Sequence, residues 1–252
     1  MRLTARFTFA ATLLAVTLLG SASHAALITQ RPAAPESTAV TQVRHSAGDA
    51  NELIRTAVAQ RFGGDADGAV RTLGKVLEAD PDSAEALGYQ ALAQFDRGDF
   101  RSAADIFRQA HHRAASLRAM LGRYLALGRI GENADAELKV VKASLPFEQT
   151  TSLDYVVAGY YLGQRSLADL SAAARTIEDV CTVQFYKSEL DLMQNRFEIA
   201  AEGLKGFADA CPKTMMEYPS ALAELKRLEN DGYLRGVVAG KPSLTLKLVD
   251  RR

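Results

Sequence analysis

Residues 53–77 read LIRTAVAQRFGGDADGAVRTLGKVL, and 34 positions later residues 87–111 read LGYQALAQFDRGDFRSAADIFRQAH. The two stretches agree in character at four spaced positions, which pair Leu53 with Leu87, Gly64 with Gly98, Ala69 with Ala103 and Leu73 with Phe107. On both sides of the glycine the apolar residues recur at helical spacing. A fixed period of this length is typical of stacked helix-turn-helix units. The sequence therefore predicts an all-α fold built from repeated helical hairpins.

These residues resemble the tetratricopeptide repeat, a 34-residue helix-turn-helix family, and Phe95–Ala104 is the segment most similar to it. With Leu53 at position 4 of the family pattern, the first unit supplies Ala57, Ala69, Leu73, Val76 and Pro81. The second unit supplies Leu87, Ala91, Ala103, Phe107 and Ala110. The resemblance implies a right-handed superhelix, or solenoid, of stacked antiparallel hairpins. Small residues such as Ala91 and Ala103 would let two helices approach closely.

Later units follow with less regular sequence. A third unit is displaced by one residue and carries Met120, Gly131, Ala136, Val140 and Ala143 at the matching positions. A later unit replaces Gly98-Asp99-Phe100 by Asn195-Arg196-Phe197 and continues through Ala200, Leu204 and Pro212. Between them, residues 150–181 leave room for one degenerate unit. The repeats are therefore predicted to span residues 49–215 in about five units.

The segments beside the repeats have their own patterns. Residues 26–48 contain Pro32 and Pro35 without a convincing period, so they predict a flexible linker before a helix capped near Asp49. Residues 216–232 predict a capping helix with Pro219 in its first turn. Residues 233–252 predict a C-terminal tail with a strand-like pattern, because leucine alternates with other residues at positions 244, 246 and 248.

Residues 1–25 have the pattern of a secretory signal peptide. Arg2 and Arg6 precede an apolar stretch, and Ser23 and Ala25 stand at the two positions that a signal peptidase reads. The apolar stretch is short for a membrane span, although an uncleaved anchor is the alternative. We therefore expect a periplasmic or secreted protein without a membrane span after cleavage, in a cell envelope of Gram-negative type.

Charge and composition exclude some function classes. The whole chain carries 30 Lys and Arg against 30 Asp and Glu. This balance argues against a nucleic-acid partner, because phosphate binding needs clustered positive charge. The chain has no Trp and 48% hydrophobic residues, which suits closely packed helices.

Two cysteines, Cys181 and Cys211, lie 30 residues apart at opposite ends of one predicted hairpin. The ends of an antiparallel hairpin lie close together, so a disulfide is predicted for an oxidising compartment. Two buried thiols are the alternative.

No motif marks an active site, a metal centre or a cofactor site. The adjacent pair His111-His112 points in two directions on a helix, which is poor geometry for one metal ion. The sequence contains no His-Glu-x-x-His, Gly-x-Ser-x-Gly or Walker-type loop. We therefore expect no metal, no cofactor and no catalysis.

The resemblance places partner contacts on the first helix of each unit. The corresponding residues here are Asn51, Arg61, Phe62, Leu92, Phe95, Arg118, Leu121, Leu125 and Arg129. Arginines beside apolar side chains could hold an acidic or C-terminal segment of a partner. The expected function is a non-catalytic protein-binding scaffold or adaptor of the envelope that holds a protein or peptide in its groove. The alternatives are an enzyme or enzyme subunit on a helical-repeat frame and a structural protein that self-associates.

Overall fold

The computed structural model describes residues 37–233, with side chains described from Gly48 onward. Within this range the chain forms eleven α-helices and no strand. Their bounds are α1 Ser37–Phe62, α2 Ala66–Ala79, α3 Ala84–Arg97, α4 Phe100–Ala114, α5 Leu117–Arg129, α6 Asp135–Ala143, α7 Leu153–Tyr161, α8 Leu167–Ala173, α9 Ile177–Met193, α10 Phe197–Ala210 and α11 Tyr218–Asn230. One 3₁₀ turn, Phe147–Gln149, precedes α7.

Consecutive helices pack against each other from α2 to α6 and again through α9, α10 and α11. Ile54 of α1 lies with Leu73 of α2 and Ala93 of α3 in one core cluster, and a larger cluster continues from Leu87 to Leu228. Small residues stand where helices approach closely, and Ala91 and Ala103 are both fully buried. The all-α helical-repeat solenoid predicted from the sequence is confirmed.

Each turn between paired helices contains one residue with a positive φ. These residues are Gly64, Gly98, Gly131, Gly163 and Asn195. Gly98 ends α3 at φ 83°, a conformation that costs glycine little because it has no Cβ. In the last unit Asn195 takes this place at φ 58°, and asparagine is one of the few other residues that tolerate it. The turn position of the repeat therefore persists where its glycine is replaced.

Helix α1 begins at Ser37, well before Asp49, where the sequence predicts the first helix. The predicted flexible linker over residues 26–48 is therefore corrected from Ser37 onward. Both prolines that suggested a linker, Pro32 and Pro35, precede this start, and no proline follows before Phe62. The predicted signal peptide, residues 26–36 and the tail from residue 234 lie outside the described residues.

Helix α11 packs against α10, as expected of a helix that covers the last unit, and also against α3. Pro219 lies in its first turn and Asp231 follows its last. Ala221, Glu224 and Leu228 on this helix are buried. The chain therefore returns to its second unit, and α11 covers part of the inner surface formed by the first helices of the hairpins.

A disulfide joins Cys181 at the start of α9 to Cys211 at the end of α10, with 5.8 Å between the Cα atoms. Of the two alternatives left by the sequence, the structure has the disulfide. It connects the two ends of one hairpin across 30 residues.

Replacing both cysteines by serine is expected to lower the free energy of unfolding by about 3–4 kcal/mol, because the unfolded chain loses a covalent constraint across this loop. Urea unfolding of the oxidised protein and of the double variant measures the difference. Wild-type protein treated with a thiol reductant should unfold at the urea concentration of the double variant. If the oxidised protein and the double variant had the same urea midpoint of unfolding, this would contradict a stabilising role of the disulfide.

Candidate partner-binding cavity

Helices α3, α4, α5 and α9, together with residues 216–220 at the start of α11, surround a cavity of about 520 Å³, which we call the inner cavity. Its walls are mainly apolar and include Leu92, Phe95, Phe107, Leu125, Phe185 and Met216. The volume lies within the roughly 300–1,000 Å³ that is usual for ligand sites. The inner cavity opens to solvent, so an apolar side chain could enter it.

The polar end of the inner cavity contains Arg118, Glu217 and Tyr186. Arg118 Nη1 donates to Glu217 Oε1 at 3.1 Å, and its Nη2 donates to Asp154 Oδ1 at 3.1 Å. The pKa of Arg118 is raised, first by the nearby Tyr186 oxygen and then by these two carboxylates. Arg118 is thus a permanent cation that already has two carboxylate partners within the chain.

The rim of the inner cavity carries an additional acidic side chain. Glu85 in the first turn of α3 is exposed and forms none of the ion pairs found among the described residues. Glu217 is already paired with Arg118, so Glu85 is the carboxylate of the lining that has no ion-pair partner among the described residues. The entrance is therefore acidic, which favours a basic group beside any apolar group that binds there.

The nine residues predicted to contact a partner are divided among several locations. Leu92, Phe95, Arg118 and Leu125 line the inner cavity. Arg61 and Phe62 line a second cleft beside α11, Leu121 is fully buried in the core, and Asn51 is exposed on α1 away from both clefts. Arg129 lies close to the Phe100 ring, with 4.5 Å between the guanidinium carbon and the ring centroid.

The three predicted partner-binding arginines hold helix α11 or the turn before it. Arg61 Nη1 donates to the Met216 carbonyl oxygen at 2.9 Å and its Nη2 to Ser220 Oγ at 2.8 Å. Arg118 holds Glu217, and Arg129 forms an ion pair with Glu224. The arginines do form ion pairs with carboxylates, as the sequence suggests, but these carboxylates belong to the same chain.

Arg61 requires a correction, because only 2% of it is exposed. Its Nε lies 2.5 Å from Asp96 Oδ2, and Ser220 Oγ donates to Asp96 Oδ1 at 2.5 Å. All three nitrogens of the guanidinium donate hydrogen bonds to groups of the same chain, so this side chain joins α1, α3 and α11. Leu121, also predicted at the groove, is likewise a core residue because it is fully buried.

Two fully buried carboxylates, Glu189 of α9 and Glu224 of α11, share the guanidinium of Arg129. Glu189 Oε2 lies 3.7 Å from Arg129 Nη1, and neither of its oxygens accepts a hydrogen bond. Burial, followed by the neighbouring Glu224, raises the pKa of Glu189 to about 8. Sequence reasoning left these acidic residues unassigned, since no spacing connects positions 129, 189 and 224.

Comparison with known proteins gives one family match. Residues 53–83 match the family model of the tetratricopeptide repeat, over the second half of α1 and all of α2. No curated protein matches the chain. In the described part of the chain, none of the helices has the length and apolar character needed to cross a membrane. Residues 53–83 are thus similar to one tetratricopeptide repeat, and the successive packing of helical hairpins is the arrangement expected of such repeats.

Proposed function

We propose that this protein is a non-catalytic scaffold or adaptor of the cell envelope that holds a segment of a protein partner in its inner cavity. Tetratricopeptide repeats generally mediate protein–protein interactions, which supports the binding role. The single observation that carries the proposal is an apolar, solvent-open cavity on the inner surface of the repeats. Cavities of this kind accept a few large apolar side chains, and such side chains supply most of the affinity of many interfaces.

The chemistry of the inner cavity selects an apolar partner segment over an acidic one. Arg61, Arg118 and Arg129 are occupied by groups of the same chain, so no unused guanidinium marks a carboxylate site at these positions. The walls are formed by leucine and phenylalanine side chains, among them Leu92 and Phe185. We therefore propose a partner segment with a large apolar residue next to a basic one.

The location in the envelope rests on separate support. Residues 1–25 have the signal-peptide pattern, and the disulfide between Cys181 and Cys211 is typical of an oxidising compartment. The intact mass of the protein purified from the envelope checks this location, with a chain that begins at Ala26 as the expected result. A mass that includes residues 1–25 would contradict cleavage at this position.

Filling the inner cavity is expected to abolish partner binding without unfolding the protein. Gly88 of α3 lines the inner cavity, and a Cβ added there would meet no atom within 4 Å. The Gly88→Phe variant therefore places a ring in the space that the partner would use. Glycine inside a helix is unfavourable by about 1 kcal/mol relative to alanine, so the substitution does not weaken α3. We expect at least about tenfold less partner recovered in affinity capture from envelope extract, which corresponds to about 1.4 kcal/mol.

Gly74 provides the matched control. It lies inside α2, a Cβ added there also meets no atom within 4 Å, and it does not line the inner cavity. Gly74→Phe should recover the same partners as the wild type in equal amounts. Partners recovered equally with both variants would contradict a role of the inner cavity, and recovery of the bait alone would favour self-association.

A further inference from the structure

The tail formed by residues 234–252 combines basic and apolar residues. It contains five Lys or Arg residues and one Asp, and leucines stand at positions 244, 246 and 248. By contrast, residues 37–233 contain 22 Lys and Arg against 28 Asp and Glu. The tail and the repeats therefore carry opposite net charges, and attraction between them favours an encounter.

The inner cavity has the complementary chemistry. Its apolar walls suit leucine side chains, and its rim carries the exposed carboxylate of Glu85. Lys247 lies between Leu246 and Leu248, so a basic group accompanies the leucines. This matches the apolar and basic segment inferred for the partner.

The tail is also long enough to reach the inner cavity. Tyr233 packs on Phe197 near one end of α11, with 4.3 Å between the ring centroids, and Glu217 at the cavity precedes the other end. The 13 residues of α11 span about 20 Å at 1.5 Å per residue. The 11 residues from Tyr233 to Leu244 can span about 36 Å when extended.

We propose that residues 244–248 of the same chain occupy the inner cavity until a partner displaces them. In an extended segment alternate side chains share one face, so Leu244, Leu246 and Leu248 would all face the walls. The tail then acts as an intramolecular competitor. Because it is tethered, its effective concentration at the inner cavity is high, and a partner must bind strongly enough to displace it. This regulation rests on the proposed function, while occupancy by the tail is measured without any partner.

Limited trypsin digestion of the full chain tests the occupancy. The bond between Lys247 and Leu248 should be cut slowly in the wild type, because cleavage requires the tail to leave the inner cavity. In Gly88→Phe the tail is displaced, and we expect cleavage of this bond to be about tenfold faster or more. Mass spectrometry of the released fragment gives the initial rate. Circular dichroism should show that the variant remains folded.

Gly74→Phe is again the control, and it should be cut at the wild-type rate. Equal rates in wild type, Gly88→Phe and Gly74→Phe would overturn the proposal. Protection that increases with protein concentration would also overturn it, because the tail would then occupy a second copy. Since the digestion contains no partner, protection of the tail can be found even if partner capture fails, and the two proposals are judged separately.

Discussion

Replacing Arg61 by methionine is expected to lower the free energy of unfolding by about 3–5 kcal/mol, the usual cost of breaking a buried ion pair from one side. Asp96 is 8% exposed and would keep a charge without its guanidinium partner. The Met216 carbonyl oxygen and Ser220 Oγ would also lose the donors that now hold them. Because these groups connect α1, α3 and α11, we expect the loss to appear in the global unfolding of the protein. Urea unfolding monitored by circular dichroism measures it.

An exposed ion pair provides the control for Arg61. Arg97 Nε lies 2.6 Å from Asp67 Oδ1, and the two side chains are 38% and 64% exposed. Water and salt screen this pair, so Arg97→Met should cost at most about 1 kcal/mol. Adding Asp96→Leu to Arg61→Met should recover part of the lost stability, because no buried charge then remains unpaired. A cost for Arg61→Met as small as that for Arg97→Met would contradict the role assigned to Arg61.

The fold could be predicted because its determinants are local in sequence. A hairpin needs apolar residues at helical spacing, small residues at the crossing and a turn residue that accepts positive φ. Gly98 and Asn195 supply that turn residue with their immediate neighbours. The sequence does not predict the start of α1, because Pro32 and Pro35 suggest a flexible linker that continues to residue 48. In the structure the helix already begins at Ser37.

The candidate site was predicted only in part, because it depends on contacts between distant residues. The resemblance implies that Leu92 and Leu125 face inward, and both line the inner cavity, while their contact with a partner stays a prediction. Arg61, however, pairs with Asp96 across 35 positions and with Ser220 across 159. No local pattern shows that α11 returns to α3, so the arginines looked available for a partner. Distinguishing a guanidinium that binds its own chain from a free one requires the tertiary structure.

Replacing Glu189 by glutamine is expected to make stability less dependent on pH and to stabilise the protein at alkaline pH. Glu189 is fully buried, accepts no hydrogen bond and lies beside the second buried carboxylate, Glu224. Burial is the main cause of the rise in the pKa of Glu189 to about 8, from an ordinary value of 4.5. Glutamine has nearly the same shape and never carries the charge that burial disfavours.

Proton linkage determines whether Glu189 makes the folded protein more or less stable as the pH rises. Between pH 4.5 and about 8 the unfolded chain has released the Glu189 proton, while the folded protein retains it. The stability associated with this proton is fully present below pH 4.5 and is lost as the pH rises to about 8, by up to about 1.4 kcal/mol per pH unit. Relative to the wild type, Glu189→Gln should therefore gain stability over this window, and the difference should become constant above it.

Urea unfolding of wild type and Glu189→Gln at a series of pH values from 5 to 9 measures this difference, and other titrating groups cancel because both proteins contain them. Glu202, exposed on α10, supplies the control, and Glu202→Gln should follow the wild-type curve with an offset within about 0.5 kcal/mol. A difference between wild type and Glu189→Gln that does not change with pH would show that Glu189 is ionised in the folded protein throughout. In that case Arg129, together with Arg227, which forms an ion pair with Glu224, would compensate the buried charge of Glu189 fully.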